Sequence, residues 1–434
     1  MDLKHFASRR RDLMRLMGDG VAIVPTSPVR SRNRDVDYPF RPDSDFYYLT
    51  RFPEPEAVAV LIPGRVHGEY ILFCRENDPE KEIWNGRRAG LKGACETYGA
   101  DDAFPFDDMD EIMPGLLENR EKVFCTMGRY PDFDHRLLHW VNEVRGKART
   151  GVSAPGEFVD LAHLLHEMRL VKRTEEIKLM RKACRLSSAA HRRAMQACRP
   201  GMMEFEVQAE LEYEFKRGGS GFPAYPPIVA GGANGCILHY TDNNTELRDG
   251  DLLLIDAGAE LDCYASDITR TFPVNGRFGA EQRAVYEVVL AAQLAAIEAV
   301  RPGNHWNEPH EKAVGVLVDG LIDLGLLEGG REELIGEGHY RRFYMHRTGH
   351  WLGMDVHDVG DYKVEDEWRL LEPGMVMTVE PGLYIAAGSD GIDERWWDIG
   401  IRIEDDVLVT KDGREVLSAD APKTVDEIEA VMAG

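Results

Sequence analysis

Two aspartates constrain the fold of this chain more than any other feature. Asp256 lies in a run of buried-strand character, Leu252-Leu253-Leu254-Ile255-Asp256-Ala257-Gly258-Ala259. Asp267 lies near the start of the next such run, Ser266-Asp267-Ile268-Thr269-Arg270-Thr271-Phe272. The polar stretch between them, Glu260-Leu261-Asp262-Cys263-Tyr264, reads as a hairpin turn. With the turn centred between Leu261 and Asp262, the two carboxylates are direct cross-strand neighbours, with Cβ atoms roughly 4.5–5.5 Å apart. Like charges placed so destabilise a sheet, and burying them in an Ile/Leu-rich pair costs more still. A divalent cation between them resolves the conflict.

The rest of the composition narrows the class. At 434 residues the chain has room for two or three domains of about 150 residues each. Acidic residues number 76 against 52 basic ones, a net charge of −24, which argues against nucleic acid or an anionic membrane as partner. The cysteines are sparse and show no C-x-x-C spacing, so neither a disulfide framework nor a zinc finger is expected. No run of about eighteen apolar residues is present to span a membrane. The N-terminus lacks the apolar core of a signal peptide, and a cytoplasmic location is expected.

Residues 1–173 read as an N-terminal α/β domain. Its first helix, Lys4 to Met17, carries Phe6, Leu13, Leu16 and Met17 on one side. Strands are expected at Val21–Val24, Phe46–Leu49, Val58–Ile62, Tyr70–Phe73 and Val123–Thr126, with a helix near His135–Val144. Val58–Ile62 and Tyr70–Phe73 form a hairpin through Pro63-Gly64. A long helix starts at Thr174, read as its N-cap, and stops at Arg199-Pro200-Gly201. It opens a second domain, 174–434, with a helix at Glu204–Arg217 and others near Ala280–Val300 and Pro309–Leu324. Strands are expected there at Pro227–Ala230, Leu252–Ala259, Asp267–Pro273, Met375–Val379 and Ile399–Val409. Strands and helices do not strictly alternate, so the fold class is α+β.

Further metal ligands are available downstream. His346-Arg347-Thr348-Gly349-His350 offers two imidazoles, and Thr378-Val379-Glu380 ends a β-branched run with a carboxylate. In Ile401-Arg402-Ile403-Glu404, strand alternation puts Arg402 and Glu404 on one face and the isoleucines on the other. Asp256, Asp267, Glu380 and Glu404 with His350 bring a charge of about −4, which two divalent cations neutralise. An oxygen-rich set with one nitrogen suits Mn²⁺, Co²⁺ or Zn²⁺, and paired metals activate water and clamp an oxyanion.

The segments that carry these residues closely resemble the Xaa-Pro aminopeptidases (aminopeptidase P). These are pita-bread metallopeptidases, as are methionine aminopeptidase and prolidase. The motifs are Leu254–Gly258, Ser266–Phe272, Gly349–Gly353, Val379–Tyr384 and Gly400–Asp405. Tyr38–Phe46, Phe52–Val58 and Glu82–Arg88 are similar to the first domain of the bacterial members, so the resemblance covers nearly the whole chain. It implies a pita-bread catalytic domain with Asp256 and Asp267 on one metal and His350 and Glu380 on the other. Asp267 and Glu404 would bridge the two ions, which in the family are typically manganese.

The resemblance also assigns supporting roles. His239 and His357 are implied as active-site histidines that are not ligands, and His346, Tyr384 and Arg402 as residues lining the substrate site. Trp84 is implied to reach a neighbouring subunit's active site in a homotetramer, with a dimer as the smaller assembly. The implied activity is release of the first residue from peptides with proline second. A metal-bridging hydroxide would attack the carbonyl before proline, with Glu380 shuttling the proton. Prolidase, which cuts only Xaa-Pro dipeptides, and a non-catalytic pita-bread binding protein are the alternatives.

Other motifs drop out. His166-Glu167 and His310-Glu311 lack the second histidine of H-E-x-x-H, and Ala230–Gly235 is neither a P-loop nor a dinucleotide fingerprint. Two segments depart from the family pattern. Lys363–Trp368 is acidic where bacterial relatives carry basic residues, and Trp396-Trp397-Asp398 is atypical. Both are expected to border the substrate cleft.

Overall fold

The computed structural model describes residues 1–434, which form two compact units, Met1–His166 and Glu167–Gly434. In the first unit, the Asp2 side chain accepts from the Lys4 N–H and starts a helix over Leu3–Met17. Its inner face differs from the expected one. Leu16 is exposed, while Arg9 and Arg10 are buried and donate to the carbonyls of Tyr48 and Leu49. Those two arginines satisfy carbonyls left unpaired at a helix end.

That helix end is itself a correction. Phe46–Leu49 is not a strand but part of the helix Ser44–Thr50, started by the Asp43 carboxylate accepting from the N–H groups of Asp45 and Phe46. Every residue of Ser44–Thr50 is buried, so no alternation separates the two readings. The expected hairpin is present, with Val58 opposite Phe73 and Leu61 opposite Tyr70. A six-stranded mixed sheet results, in spatial order Asp102–Pro105, Tyr70–Cys74, Val58–Leu61, Val21–Pro25, Lys122–Cys125, Glu157–Asp160. Met109, Met113, Leu137, Trp140 and Val141, on the helices Met109–Leu117 and Pro131–Gly146, belong to its core.

The second unit is built differently. Short antiparallel sheets replace a single broad one: Ile228–Gly231 with Leu252–Asp256 and Thr269–Pro273, then Val376–Val379 with Asp405–Thr410 and Gly413–Val416, then Gly382–Ile385 with Ile399–Arg402. The helices Thr174–Ala197, Glu204–Arg217, Ala280–Ala299 and Glu308–Asp323 share one large apolar core with these strands. The long helix has Arg173, not Thr174, at its N-cap, and the Glu176 carboxylate accepts from the Arg173 N–H at 3.0 Å. The strand expected over Ile399–Val409 is broken into two at Ile403-Glu404. No helix is long and apolar enough to cross a membrane.

Candidate metal centre

Five acidic or imidazole side chains converge where strands stop. Asp256 is the last residue of its strand, and Asp267 stands two residues before Thr269–Pro273. Glu380 follows Val376–Val379, and Glu404 sits in the break between Ile399–Arg402 and Asp405–Thr410. His350 is held against the strand before Glu380: its N–H donates to the Thr378 hydroxyl at 3.1 Å, and its carbonyl accepts from the Thr378 N–H. A Cβ at Gly349 would stand 2.0 Å from the Thr378 carbonyl oxygen, so only glycine permits this approach.

The hairpin carrying the two aspartates is shifted from its expected register. Leu252 pairs with Pro273, Asp256 with Thr269 and Glu260 with Ala265, and the turn falls on Asp262-Cys263, both at positive φ. Asp256 therefore faces Thr269, not Asp267. The shift is two residues along the partner strand, which preserves the face, so the carboxylates are diagonal neighbours. The Tyr225 hydroxyl joins them, standing 2.6 Å from Asp256 Oδ1 and in still shorter contact with Asp267 Oδ1. Gly258 lies in the loop after Asp256, and a Cβ there would stand 1.7 Å from the Ser266 carbonyl oxygen.

Distances within the cluster are short. His350 Nε2 lies 3.3 Å from Asp267 Oδ2 and 3.6 Å from Glu380 Oε1. One ligand atom each from Asp267, His350 and Glu404 falls within 4.8 Å of the others. Thr269 Oγ1 donates to Glu404 Oε2 at 2.6 Å, and Asp406 Oδ2 accepts the Asp267 N–H at 3.0 Å.

Electrostatics test whether these residues fit a cation. Burial raises Glu404 well above the carboxylate range, and Asp267, Glu380 and Asp256 push it further. Burial also lifts Glu380 to about 7, against the pull of His350 and Arg402. Asp256 is raised, by burial first, with Arg402 opposing. Burial works against a charged His350, yet hydrogen bonding to Asp267 and the Glu380 charge bring it to about 9, and Asp267 is correspondingly lowered. A cluster in which three of the four carboxylates are raised for want of positive charge, and whose donors are oxygens plus one imidazole, fits divalent metal ions.

A pocket of about 450 Å³ opens over the cluster. His239, His346, His357 and Arg402 line it with the five acidic and imidazole groups, and Pro226, Ile228, Leu238 and Val356 supply apolar wall. His346 Nδ1 donates to the Arg347 carbonyl, so its Nε2 accepts from the Tyr384 hydroxyl at 2.8 Å. Arg402 Nη1 donates to that hydroxyl and its Nη2 to Asp256 Oδ2 at 2.7 Å, completing a chain from His346 to the cluster. Burial, then Arg402, lowers His346 to about 3, keeping it neutral. The His357 ring stands edge-on to His350, with centroids 4.3 Å apart. Its loop is anchored from below: the neighbouring Asp358 is buried and accepts from Arg169 at 2.6 Å and Lys172 at 2.9 Å.

Three outcomes concern residues outside the ligand set. Trp84 belongs to the other unit, on the helix Pro79–Asn85, and is 86% exposed. The Lys363–Trp368 segment forms a small hairpin, and Arg347, a pocket residue, stacks over Trp368 at 5.0 Å. Trp397 and Asp398 line a different cavity, formed with the Gly231–Asn234 turn and Asn275, and none of Trp396, Trp397 and Asp398 lines the pocket. Sequence patterning assigns no role to Tyr225, Thr269, Thr378 or Asp358: Thr378 donates to Glu380 two residues on, while Tyr225 and Asp358 reach the site through contacts distant along the chain.

Comparison with known proteins adds to this geometry. The pattern of metallopeptidase family M24 matches residues 178–411, and that of the aminopeptidase P N-terminal domain matches residues 6–124. The chain is 45% identical over 431 residues to the Xaa-Pro aminopeptidase of Escherichia coli (strain K12), covering 99% of this chain and 97% of that protein. It superposes on the structure of Pseudomonas aeruginosa aminopeptidase PepP with a TM-score of 0.99 and 59% identity, covering 100% and 98% of the two chains. Proline aminopeptidase P II from Yersinia pestis gives a TM-score of 0.97 at 48% identity, covering 100% of both.

Proposed function

The chain belongs to metallopeptidase family M24, and from that premise we propose that it is an Xaa-Pro aminopeptidase, hydrolysing the bond before a penultimate proline. The observation that carries the reading is the convergence of Asp256, Asp267, His350, Glu380 and Glu404 beneath one peptide-sized pocket. These five residues would hold two divalent ions, Mn²⁺ first and Co²⁺ or Zn²⁺ as alternatives. When bound, the ions supply Lewis-acid polarisation of the scissile carbonyl and an activated water.

The remaining chemistry belongs to the side chains. Glu380, on the pocket lining beside His350, is placed to accept a proton from the attacking water and pass it to the leaving proline nitrogen. His239 and His357, on the pocket wall, orient the substrate carbonyl and stabilise the tetrahedral oxyanion. His346 lines the substrate site, the buried Tyr384 holds it from behind through its hydroxyl, and Arg402 holds Asp256 while bordering the same space. The apolar wall of Pro226, Ile228, Leu238 and Val356 suits a proline ring, which lacks an N–H and is fixed near φ −65°.

Domain roles follow the same reading. Residues 1–173 serve oligomerisation and substrate access, and 174–434 form the pita-bread catalytic domain. The exposed Trp84 supports a homo-oligomer, dimer or tetramer, in which that ring reaches a neighbouring subunit's site. Seven free thiols support a reducing, cytoplasmic setting. The test is a peptide panel assayed with metal-stripped enzyme re-supplied with Mn²⁺, Co²⁺ or Zn²⁺. Release of the first residue from Xaa-Pro peptides only after metal addition is expected. Metal-independent cleavage, or no preference for proline in second position, would overturn the proposal.

A further inference from the structure

The exposed face of the helix Thr174–Ala197 is strongly basic in a chain of net charge −24. From Ile177 to Arg199 there is no Asp or Glu, where the chain-wide frequency of 76 in 434 would place about four. Lys178, Lys182, Arg185, Ala189, Arg192, Gln196 and Arg199 recur at spacings of four and three, and all are exposed. The first six form one stripe along the helix, and Arg199 follows just beyond its end. From Lys178 to Gln196 the stripe runs about 27 Å.

The stripe is unneutralised. Two other arginines of this segment are paired, Arg181 with Glu415 and Arg193 with Glu210. None of Lys178, Lys182, Arg185, Arg192 and Arg199 has a carboxylate within 4.0 Å; Arg185 and Arg192 donate only to the carbonyls of Arg181 and Asp420. Beside the middle of the stripe runs a groove of about 830 Å³. Arg185, Ala189 and Arg192 border it with Ala419, Pro422, Ala430 and Val431 from the C-terminal segment. No stripe residue lines the catalytic pocket.

We propose that this basic stripe and its groove form a docking surface for an acidic, extended polypeptide segment of a partner protein. Charge complementarity selects the sign. The groove selects the class: Glu214, Asp420 and Glu427 also line it, so an unbroken phosphate backbone would meet repulsion there. A peptide avoids this by alternating, its carboxylates on the stripe and its small apolar side chains against Ala419, Pro422 and Val431. About eight extended residues match the stripe's length.

The test uses the full-length protein and a fluorescein-labelled peptide of alternating Glu and Ala, about ten residues long, read by anisotropy at about 50 mM salt. Saturable binding is expected, weakened about tenfold or more by Arg185→Glu with Arg192→Glu, and likewise by about 300 mM salt. A Lys178→Glu, Lys182→Glu pair should act in the same direction, and Xaa-Pro hydrolysis should be unchanged in both variants. Absence of binding, or binding indifferent to both charge reversals, would overturn the proposal. So would tighter, substitution-sensitive binding of a single-stranded oligonucleotide or phosphatidylserine vesicles, or self-association abolished by the same variants.

Discussion

Loading the metal-free enzyme with Mn²⁺ at pH 7 should expel protons, and the cluster sets how many. His350, held near 9 by Asp267 and Glu380 against burial, carries almost a full proton at that pH, and its nitrogen must lose it to become a ligand. Glu380, near 7, carries about half a proton. Those two groups release about 1.5 protons, and Glu404, also raised by burial and its neighbours, adds up to about one more. The free protein therefore binds more protons than the loaded one, so apparent affinity must rise with pH. At about 1.5–2.5 protons released, it rises roughly 30- to 300-fold per pH unit near neutrality and flattens above about pH 9. Titration calorimetry in buffers of different ionisation enthalpy measures this number as the slope of observed against buffer enthalpy. A slope within about 0.3 of zero would refute the argument that burial and like charge hold protons on these ligands.

Other expectations concern the scaffold. Asp358→Asn leaves Lys172 buried without its carboxylate and should cost about 3–5 kcal/mol, lowering Tm by about 6–20 °C in thermal melts. Gly258→Ala drives a methyl into the Ser266 carbonyl and should remove bound metal and activity together, read by metal analysis beside circular dichroism. Asp405 is held at about 2, Arg270 and Lys423 overcoming burial, and Asp358 is lowered by Lys172 and Arg169 in the same way. Depressed carboxylates stabilise the fold above their unfolded value of about 3.9 and lose that contribution as pH falls through the folded one, so Tm should drop between about pH 4 and 2.

The sequence marks three of the five candidate ligands because each terminates a patterned run: Asp256 after Leu252–Ile255, Glu380 after Val376–Val379, Glu404 after an Ile alternation. It disclosed the hairpin register only by parity. The turn at Asp262-Cys263 has no glycine or Asn-Gly to mark it, so the centre was misplaced by one residue, yet a two-residue change in pairing leaves every side chain on its own face. Phe46–Leu49 misled because complete burial erases periodicity and leaves only the Asp43 cap as evidence of a helix. The break at Ile403-Glu404 was invisible for a related reason. Strand pattern continues through it, while the Glu404 N–H leaves the local ladder to donate to the Thr269 carbonyl. Tyr225 and Asp358 carry no local signal, since the side chains they pair with lie 31 or more positions away along the chain.

The central claim is that this metal pocket serves removal of one residue ahead of proline from peptides longer than two. Metal-loaded enzyme incubated in parallel with an Xaa-Pro dipeptide and an Xaa-Pro-Xaa-Xaa tetrapeptide, with products identified by mass spectrometry, tests it directly. Free Xaa and the intact Pro-Xaa-Xaa tripeptide are expected from the longer substrate. Cleavage of the dipeptide alone, with the tetrapeptide untouched, would contradict the account.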